Sequence, residues 1–169
     1  MAVSFLRIDD RLIHGQMAAS WIGSSPCDGI VVIDDDAANN EMQKRVLLSI
    51  LPSVKTWVFS IEEATQKLPK VIESQKQYYV IARNAKGLSR LVTAVPELRQ
   101  AISKVNVGPL SKRQDAIPVN KGQSITSEEI PAFNHLAGLG FNIEFRLLPD
   151  TVAVSWESAV KKLDGANHD

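Results

Sequence analysis

Short runs of β-branched residues alternate along this chain with amphipathic stretches, and the alternation constrains the fold more than any other feature. Residues 29–34, reading GIVVID, are almost entirely apolar, as expected of a strand covered on both faces of a sheet. Repetition of strand and helix favours right-handed βαβ units. The sequence therefore predicts a single-domain α/β fold, an open and mostly parallel sheet with helices on both faces.

The same patterns predict six strands and six helices. The strands are residues 3–8, 29–34, 56–60, 78–82, 104–108 and 141–147, and the helices are residues 14–23, 40–51, 61–68, 86–95, 126–139 and 156–163. Ser60 is a suitable N-cap for the third helix, and Thr126 with Glu129 has the spacing of a capping box. Residues 109–125 break the alternation and predict a hairpin-like excursion or an irregular edge strand.

Composition excludes several classes of function. The chain has 169 residues, of which 44% are hydrophobic, and its 19 acidic residues balance 19 basic ones. Zero net charge removes the general electrostatic argument for nucleic acid or membrane binding. No apolar run approaches the roughly 20 residues needed to span a bilayer, and the N-terminus lacks a secretory pattern. The single cysteine, Cys27, cannot form an internal disulfide. These features predict a cytoplasmic protein.

The first strand-to-helix junction is the first candidate for a functional site, because ligands of open parallel sheets bind beyond the carboxyl ends of strands. His14 stands there beside Gly15, three residues after Arg11. A helix N-terminus favours a phosphate dianion and leaves a neutral imidazole with a lone pair free to attack phosphorus. Gly15 allows close approach of the backbone, and Arg11 can donate two hydrogen bonds to phosphate oxygens. The junction therefore favours phosphoryl chemistry.

The two aspartates of this junction are expected to order the site and not to touch phosphate, which a carboxylate repels. We expect one of Asp9 and Asp10 to hold Arg11, and the other to accept a hydrogen bond from the His14 ring or a loop amide. Spacing alone leaves a second interpretation open, in which residues 9–11 are a solvated turn and His14 only caps a helix. The other histidines are less informative: His135 falls within a predicted helix, and His168 in the terminal tail.

Residues 7–16, reading RIDDRLIHGQ, resemble the N-terminal signature of the IIB components of mannose/fructose/sorbose-type sugar phosphotransferase systems. The resemblance continues in residues 29–37, in residues 105–108 (VNVG) and in the helix of residues 125–138. It implies an open α/β sheet of about seven mostly parallel strands. The family domain is expected to span residues 1–164, with residues 165–169 as a frayed tail.

The resemblance also implies an activity and partners. It implies a phosphohistidine–sugar phosphotransferase in which His14 accepts a phosphoryl group from a IIA partner and passes it to a sugar taken up through IIC/IID membrane subunits. Arg11 would contact the phosphate, Asp9 and Asp10 would be ordering carboxylates, and Gly15 and Gln16 would begin the helix. No cofactor or metal is expected. A homodimer is possible in principle, and neither the sugar nor the phosphorylated ring nitrogen can be read from the sequence.

Two departures from the family pattern affect the finer assignments. Pro109 follows Gly108 where a second glycine is usual, so that backbone amide is lost as a phosphate donor. After the fourth predicted strand, residues 83–85 read RNA, where members of the family more often have a Thr/Asn-Pro type turn. Asn84, Asn106 and Gly108 are candidates for lining the site, with turn chemistry as the alternative for the two asparagines.

Other interpretations fit the sequence less well. A dinucleotide-binding domain needs GxGxxG after the first strand, and a two-component receiver needs an aspartate at the end of the third strand, where Ser60 stands. One alternative function is kept, namely a catalytically silent IIB-like regulatory phosphoprotein or binding module. Residues 34–36 are interpreted as helix-start charges and not as a cation site, and the pair Lys112 and Arg113 as solvent-exposed.

Overall fold

A computed structural model of the chain describes residues 2–166. It contains one seven-stranded sheet in the order β3-β2-β4-β1-β5-β8-β9 and a separate two-stranded hairpin, β6-β7. The strands are β1 Val3–Ile8, β2 Gly29–Ile33, β3 Lys55–Phe59, β4 Tyr78–Ala82, β5 Lys104–Val107, β6 Ile117–Asn120, β7 Gln123–Ile125, β8 Asn142–Phe145 and β9 Val154–Ser155. All pairings in the main sheet are parallel except β8 with β9. The predicted fold class is confirmed.

In residues 2–166 the structure has eight α-helices. They are α1 Gly15–Met17, α2 Asp35–Ala38, α3 Glu41–Ser49, α4 Ile61–Ile72, α5 Ala85–Ala94, α6 Glu97–Ala101, α7 Ile130–Gly138 and α8 Trp156–Ala166. A π-helical segment, Ala18–Ile22, continues α1, and a 3₁₀ turn, Ser127–Glu129, precedes α7. Within the described residues, no helix is both long and apolar enough to cross a bilayer.

Two apolar clusters cover the two faces of the sheet. One packs β-strand residues against α4, α5, α7 and α8, and the other packs the segment around α1 and α3 against β2, β3 and β4. Val31 contributes to the first cluster, and its neighbours Ile30 and Val32 contribute to the second. All three are 0% exposed, which is why residues 29–34 read as a continuous apolar run.

Most differences from the predicted elements lie at their ends, where a polar residue caps the next helix. Asp34 was assigned to the second strand, but its carboxylate accepts the Ala37 N–H at 2.9 Å and begins a short helix α2 that was not predicted. Ser60 is the N-cap of α4, as predicted, and Glu63 completes a capping box there; the predicted capping box of Thr126 with Glu129 is also formed. The hairpin β6-β7 lies within the predicted excursion, 109–125.

The C-terminal helix is longer than predicted. It continues past Leu163 to Ala166, so the first two residues of the predicted frayed tail are helical. The rest of that tail, including His168, lies outside the described residues.

The carboxyl ends of the parallel strands form one edge of the sheet. Ile8 of β1 is in register with Ala82 of β4 on one side and with Val107 of β5 on the other. The chain leaves β1 toward β2, whereas it leaves β5 toward the opposite side of the sheet, so strand order reverses between β1 and β5. This reversal creates a crevice of the kind in which ligands bind in open α/β sheets.

Candidate functional site

His14 lies at the crevice between β1 and β5, on the loop that connects β1 to α1. It is the N-cap of α1 in extended conformation, and its side chain is 13% exposed. The loop reverses at Leu12, which has φ of 61° and is 0% exposed. A left-handed backbone at a residue other than glycine is strained, and here the burial of Leu12 and Ile13 in the core holds it in place. The fold therefore fixes the backbone from which His14 projects.

A buried carboxylate orients the His14 ring. The Oδ2 atom of Asp9 lies 2.9 Å from Nε2 of His14, and Asp9 is 0% exposed. A carboxylate oxygen only accepts hydrogen bonds, so we assign the ring proton to Nε2. The other nitrogen, Nδ1, faces two donors, Nη2 of Arg11 at 3.1 Å and the Met17 N–H at 3.4 Å. The lone pair of a neutral His14 ring is thus on Nδ1.

Arg7 is the partner that balances Asp9, and sequence reasoning missed it as a site residue. It is 1% exposed, and its Nε donates to Asp9 Oδ2 at 3.1 Å. Its Nη1 donates to the Asn106 side-chain oxygen, and its guanidinium lies 5.5 Å from the centre of the Trp21 ring. Burial lowers the pKa of Arg7, and Asp9 opposes that shift. A charge at the end of a doubly covered central strand was the signal that could have identified it.

The predicted roles of the two aspartates need one correction. Neither carboxylate holds the Arg11 side chain: Asp9 Oδ1 accepts the Arg11 backbone N–H at 3.0 Å, while the guanidinium turns to the His14 ring. Asp9 instead accepts from the ring and from Arg7. Asp10 accepts the Ser111 amide at 2.7 Å, as a loop-ordering carboxylate would.

The three candidate lining residues separate into two groups. Gly108 lies directly against the Arg7 guanidinium, where any Cβ would collide with it, and Asn106 is 2% exposed behind Arg7. Asn84 is elsewhere: its side chain accepts the Gly87 N–H at 2.8 Å as the N-cap of α5, and it lines a different cavity. The prediction that Asn84 lines the site is therefore wrong, and its turn chemistry is what the structure shows.

A cavity of about 440 Å³ opens beside His14. Its walls are formed by residues from the β1–α1 loop, from Pro109, from the β6-β7 turn and from the loop after β8. These residues are Arg7, Arg11, His14, Gln16, Met17, Pro109, Lys121, Gly122, Leu147, Leu148 and Thr151. Gly15 has open space where a Cβ would stand, and Gln16 contributes to the wall. Of the predicted residues 9–16, Arg11, His14 and Gln16 line this cavity.

Other residues near the site and away from it have defined surroundings. Trp21 packs beneath the site: it is 9% exposed, and its Nε1 donates to the Leu147 carbonyl at 2.9 Å. Lys112 and Arg113 are exposed, as predicted, and the Arg113 guanidinium also donates two hydrogen bonds to Glu129 at 2.6 and 3.0 Å. Burial raises the pKa of the Cys27 thiol, which favours the unreactive form. Within residues 2–166, no group of three or more His, Cys, Asp or Glu is arranged to hold a metal.

Comparison with known proteins identifies the family. The family model for the sorbose-subfamily IIB component of phosphotransferase systems matches residues 3–169. The fructose-specific EIIB component of Bacillus subtilis (strain 168) is 34% identical over 150 residues, covering 88% of this chain and 90% of that protein. The mannose-specific EIIAB component of Escherichia coli (strain K12) is 28% identical over 165 residues, and this chain spans half of its length.

A solved structure agrees with the sequence comparisons. The IIBSor domain of the sorbose permease from Klebsiella pneumoniae superposes with a TM-score of 0.80 at 25% identity, covering 98% of each chain. The family match spans nearly the whole chain, and the described fold is that of these domains. The chain belongs to the sorbose-subfamily IIB components of sugar phosphotransferase systems.

Proposed function

We propose that this chain is a phosphocarrier in which Nδ1 of His14 accepts a phosphoryl group from a phosphohistidine of a IIA partner and then donates it to a sugar. The observation that carries the proposal is the fixed ring: Asp9, 0% exposed, accepts a hydrogen bond from Nε2–H and leaves Nδ1 toward two donors. A nucleophile held in one tautomer beside positive charge meets the main needs of phosphoryl transfer.

In the first transfer, the Nδ1 lone pair attacks phosphorus and the bond from phosphorus to the donor nitrogen breaks. The phosphorylated ring keeps its Nε2 proton and becomes cationic, and the Asp9 carboxylate at 2.9 Å stabilises that charge. The Arg11 guanidinium and the Met17 N–H, which contact Nδ1 in the unmodified ring, are placed to donate hydrogen bonds to the new phosphoryl oxygens. No cofactor is required by this step.

In the second transfer, a sugar hydroxyl oxygen attacks the same phosphorus atom. The bond from phosphorus to Nδ1 breaks, the electron pair returns to His14 and the hydroxyl proton is released. The ring is again neutral with its proton on Nε2, so Asp9 returns to its first state. We place this step at IIC/IID membrane subunits, with the chain in the cytoplasm at the transporter.

The proposed IIA partner is supported by the relatives. The mannose-specific EIIAB component carries an A part and a B part under one name, and this chain matches half of its length. A separate chain must meet its donor by transient contact, because a relay dissociates at every turnover. The alternative function, a silent IIB-like module, would bind IIA without passing phosphate to a sugar.

The test is phosphoryl transfer from ³²P-phosphoenolpyruvate through the general phosphotransferase proteins and a IIA component to the purified chain. We expect an acid-labile and alkali-stable label on the wild-type protein and none on His14→Ala. The matched control is His135→Ala, because His135 is exposed on α7 and its ring contacts Ser89 at 2.6 Å. That variant should label like the wild type. An unlabelled wild type, or a labelled His14→Ala variant, would contradict the proposal.

A further inference from the structure

The His14 cavity contains a third basic residue, Lys121, that neither the sequence analysis nor the proposed chemistry uses. It stands in the turn between β6 and β7 and lines the same cavity as His14 and Arg11. Its side chain is exposed, and within the described residues its ammonium has no carboxylate within 4.0 Å. Among the residues that the structure describes, none of those lining the cavity is an aspartate or a glutamate.

The charges at the cavity do not balance without an anion. The Arg7 charge is neutralised by Asp9, which lies within 3.1 Å of it and is fully buried. Arg11 then supplies one uncompensated positive charge, and Lys121 supplies a second. A phosphoryl group bears between one and two negative charges near neutral pH, because its last pKa is close to 6. The Arg11 guanidinium faces the His14 ring, and Lys121 is the other cation on the described walls without a carboxylate partner, so both are available to phosphoryl oxygens.

The hairpin turn is built to hold residue 121 at the cavity. The Asn120 side chain donates to the Phe145 carbonyl at 3.0 Å and to the Val152 carbonyl at 3.2 Å, and its oxygen accepts the Lys121 N–H at 2.9 Å. Gln123, 1% exposed, donates to the Val107 and Gly108 carbonyls at 2.6 and 2.7 Å. These bonds anchor both sides of the turn to the ends of β5 and β8, beside the buried Arg7.

The turn itself also restricts its sequence. Gly122 has φ of +72°, and a Cβ there would stand 3.1 Å from Leu147, another wall residue. The left-handed conformation and the nearby leucine both favour glycine. The β6-β7 turn is therefore a fixed wall of the site. The backbone position of Lys121 is fixed with it, so that the side chain extends from a defined place at the cavity.

We propose that Lys121 is a phosphate-positioning residue, which places its ammonium on the phosphoryl group at His14 opposite Arg11. The proposal rests on the proposed function of His14. In this proposal the β6-β7 hairpin supplies a second cation to the site. The hairpin is distant from residues 7–16 in the sequence but lies beside them in the fold. A flexible ammonium is suited to follow the phosphoryl group as it moves between donor, His14 and sugar.

The test compares wild-type protein with Lys121→Met and Lys121→Arg, and with Lys76→Met as the matched control. Lys76 is exposed and lies before β4, at the opposite end of the sheet from His14. We expect Lys121→Met to lower kcat for transfer from phospho-IIA roughly three- to tenfold, and Lys121→Arg to restore most of the rate. Lys76→Met should transfer like the wild type.

A second readout does not need the partner. His14 is phosphorylated chemically with phosphoramidate, and the pH dependence of its ³¹P chemical shift is followed by NMR. Loss of a nearby cation disfavours the dianion, so in Lys121→Met the phosphoryl pKa should move upward from its wild-type value. A residue acting only through fold stability would not produce that shift.

The outcomes distinguish this inference from the proposed function. A wild-type protein that takes no label at His14 contradicts the proposed function itself. If His14 is labelled, but Lys121→Met transfers at the wild-type rate with an unchanged ³¹P titration, the positioning role of Lys121 is overturned. It is also overturned if Lys121→Arg is as slow as Lys121→Met.

Discussion

Two charged clusters lie along the same edge of the sheet, and they differ in how their charges are used. In the first, beyond β1 and β5, Asp9 is wholly buried and contacts both Arg7 and the His14 ring. In the second, beyond β2 and β4, Asp34 and Arg83 form an ion pair at 2.9 Å with side chains that are 12% and 27% exposed. Both clusters pair an aspartate with an arginine at the carboxyl ends of strands.

The second cluster has little capacity left for a ligand. Asp34 caps α2, Asn84 caps α5, and Asp35 accepts the Ile61 N–H at 2.9 Å while it pairs with Arg90 at 3.3 Å. Its charged groups thus stabilise helix ends and one another. In the first cluster, the pairing of Arg7 with Asp9 leaves Arg11 and a histidine nitrogen facing a cavity. A position at the carboxyl edge is therefore not sufficient for a phosphate site, and the difference lies in the uncompensated positive charge.

The largest expected difference between the clusters is in the free energy of unfolding when the aspartate of each is replaced by asparagine. Asp9→Asn leaves the Arg7 guanidinium buried without a counter-charge and should lower the free energy of unfolding by about 3–5 kcal/mol. Asp34→Asn keeps a good N-cap residue and loses only a partly exposed ion pair, so its cost should be about 1 kcal/mol or less.

Urea unfolding of the two variants and the wild type measures this contrast. Phosphoryl transfer should be lost in Asp9→Asn, because Nε2 loses its charged acceptor, and retained in Asp34→Asn. Equal destabilisation by the two substitutions would show that burial does not distinguish the clusters.

The second prediction compares two glycines of the first cluster. Gly108→Ala places a methyl group into the Arg7 guanidinium and should cost about 1–3 kcal/mol of stability. Gly15→Ala meets nothing within 4 Å and should leave stability within about 0.5 kcal/mol. Thermal unfolding of the two variants tests the difference. A fall in transfer rate for Gly15→Ala at unchanged stability would support a close approach of phosphate to that backbone.

The third prediction compares the exposed arginine of the first cluster, Arg11, with that of the second, Arg90. Arg11→Lys loses the planar donor pair and should slow transfer roughly tenfold with little change in stability. Arg90→Lys, its counterpart in the second cluster, should transfer at the wild-type rate. Initial rates of label transfer from phospho-IIA make the comparison. Unchanged transfer by Arg11→Lys would remove Arg11 from the proposed site.

The smallest effect is expected at Asn84. Asn84→Ala removes the side-chain cap of α5 and should cost about 1 kcal/mol, with no change in phosphoryl transfer. Denaturant unfolding and the transfer assay are measured on the same preparation. A transfer defect would bring the second cluster into the functional site, against the geometry described above.

Much of the fold could be predicted because local patterns and tertiary structure agree. The apolar run 29–34 is buried on both faces, and Ser60 is the N-cap where the third predicted helix begins. Helix α2 was not predicted, because its N-cap and first residues are three consecutive aspartates and show no apolar residues at helical spacing. The helix predicted for residues 14–23 becomes π-helical from Ala18, where Trp21 donates to the Leu147 carbonyl. That partner is 126 residues away, and no local pattern indicates it.

The site was predictable only in part, because some of its contacts also join residues that are distant in the sequence. The signature at residues 7–16 predicted that His14, Arg11 and Asp9 lie together. Their side chains are in contact in the structure, since they share one loop. The signature could not show that Arg7 points to Asp9 and Asn106, because that arrangement depends on β5 lying beside β1. Lys121 reaches the cavity through a hairpin anchored by Asn120 and Gln123, and that anchoring exists only in the folded chain.

In the proposed site, Asp9 fixes the proton of the His14 ring on Nε2, which makes Nδ1 the phosphoryl acceptor. Long-range ¹H–¹⁵N NMR of the histidine rings tests it directly, before and after phosphorylation, with His135→Ala used to assign the signals. We expect an Nε2–H tautomer for the neutral His14 ring and a phosphorus–nitrogen coupling at Nδ1 after phosphorylation. A proton on Nδ1 in the free protein, or phosphate on Nε2 in the modified one, would contradict it.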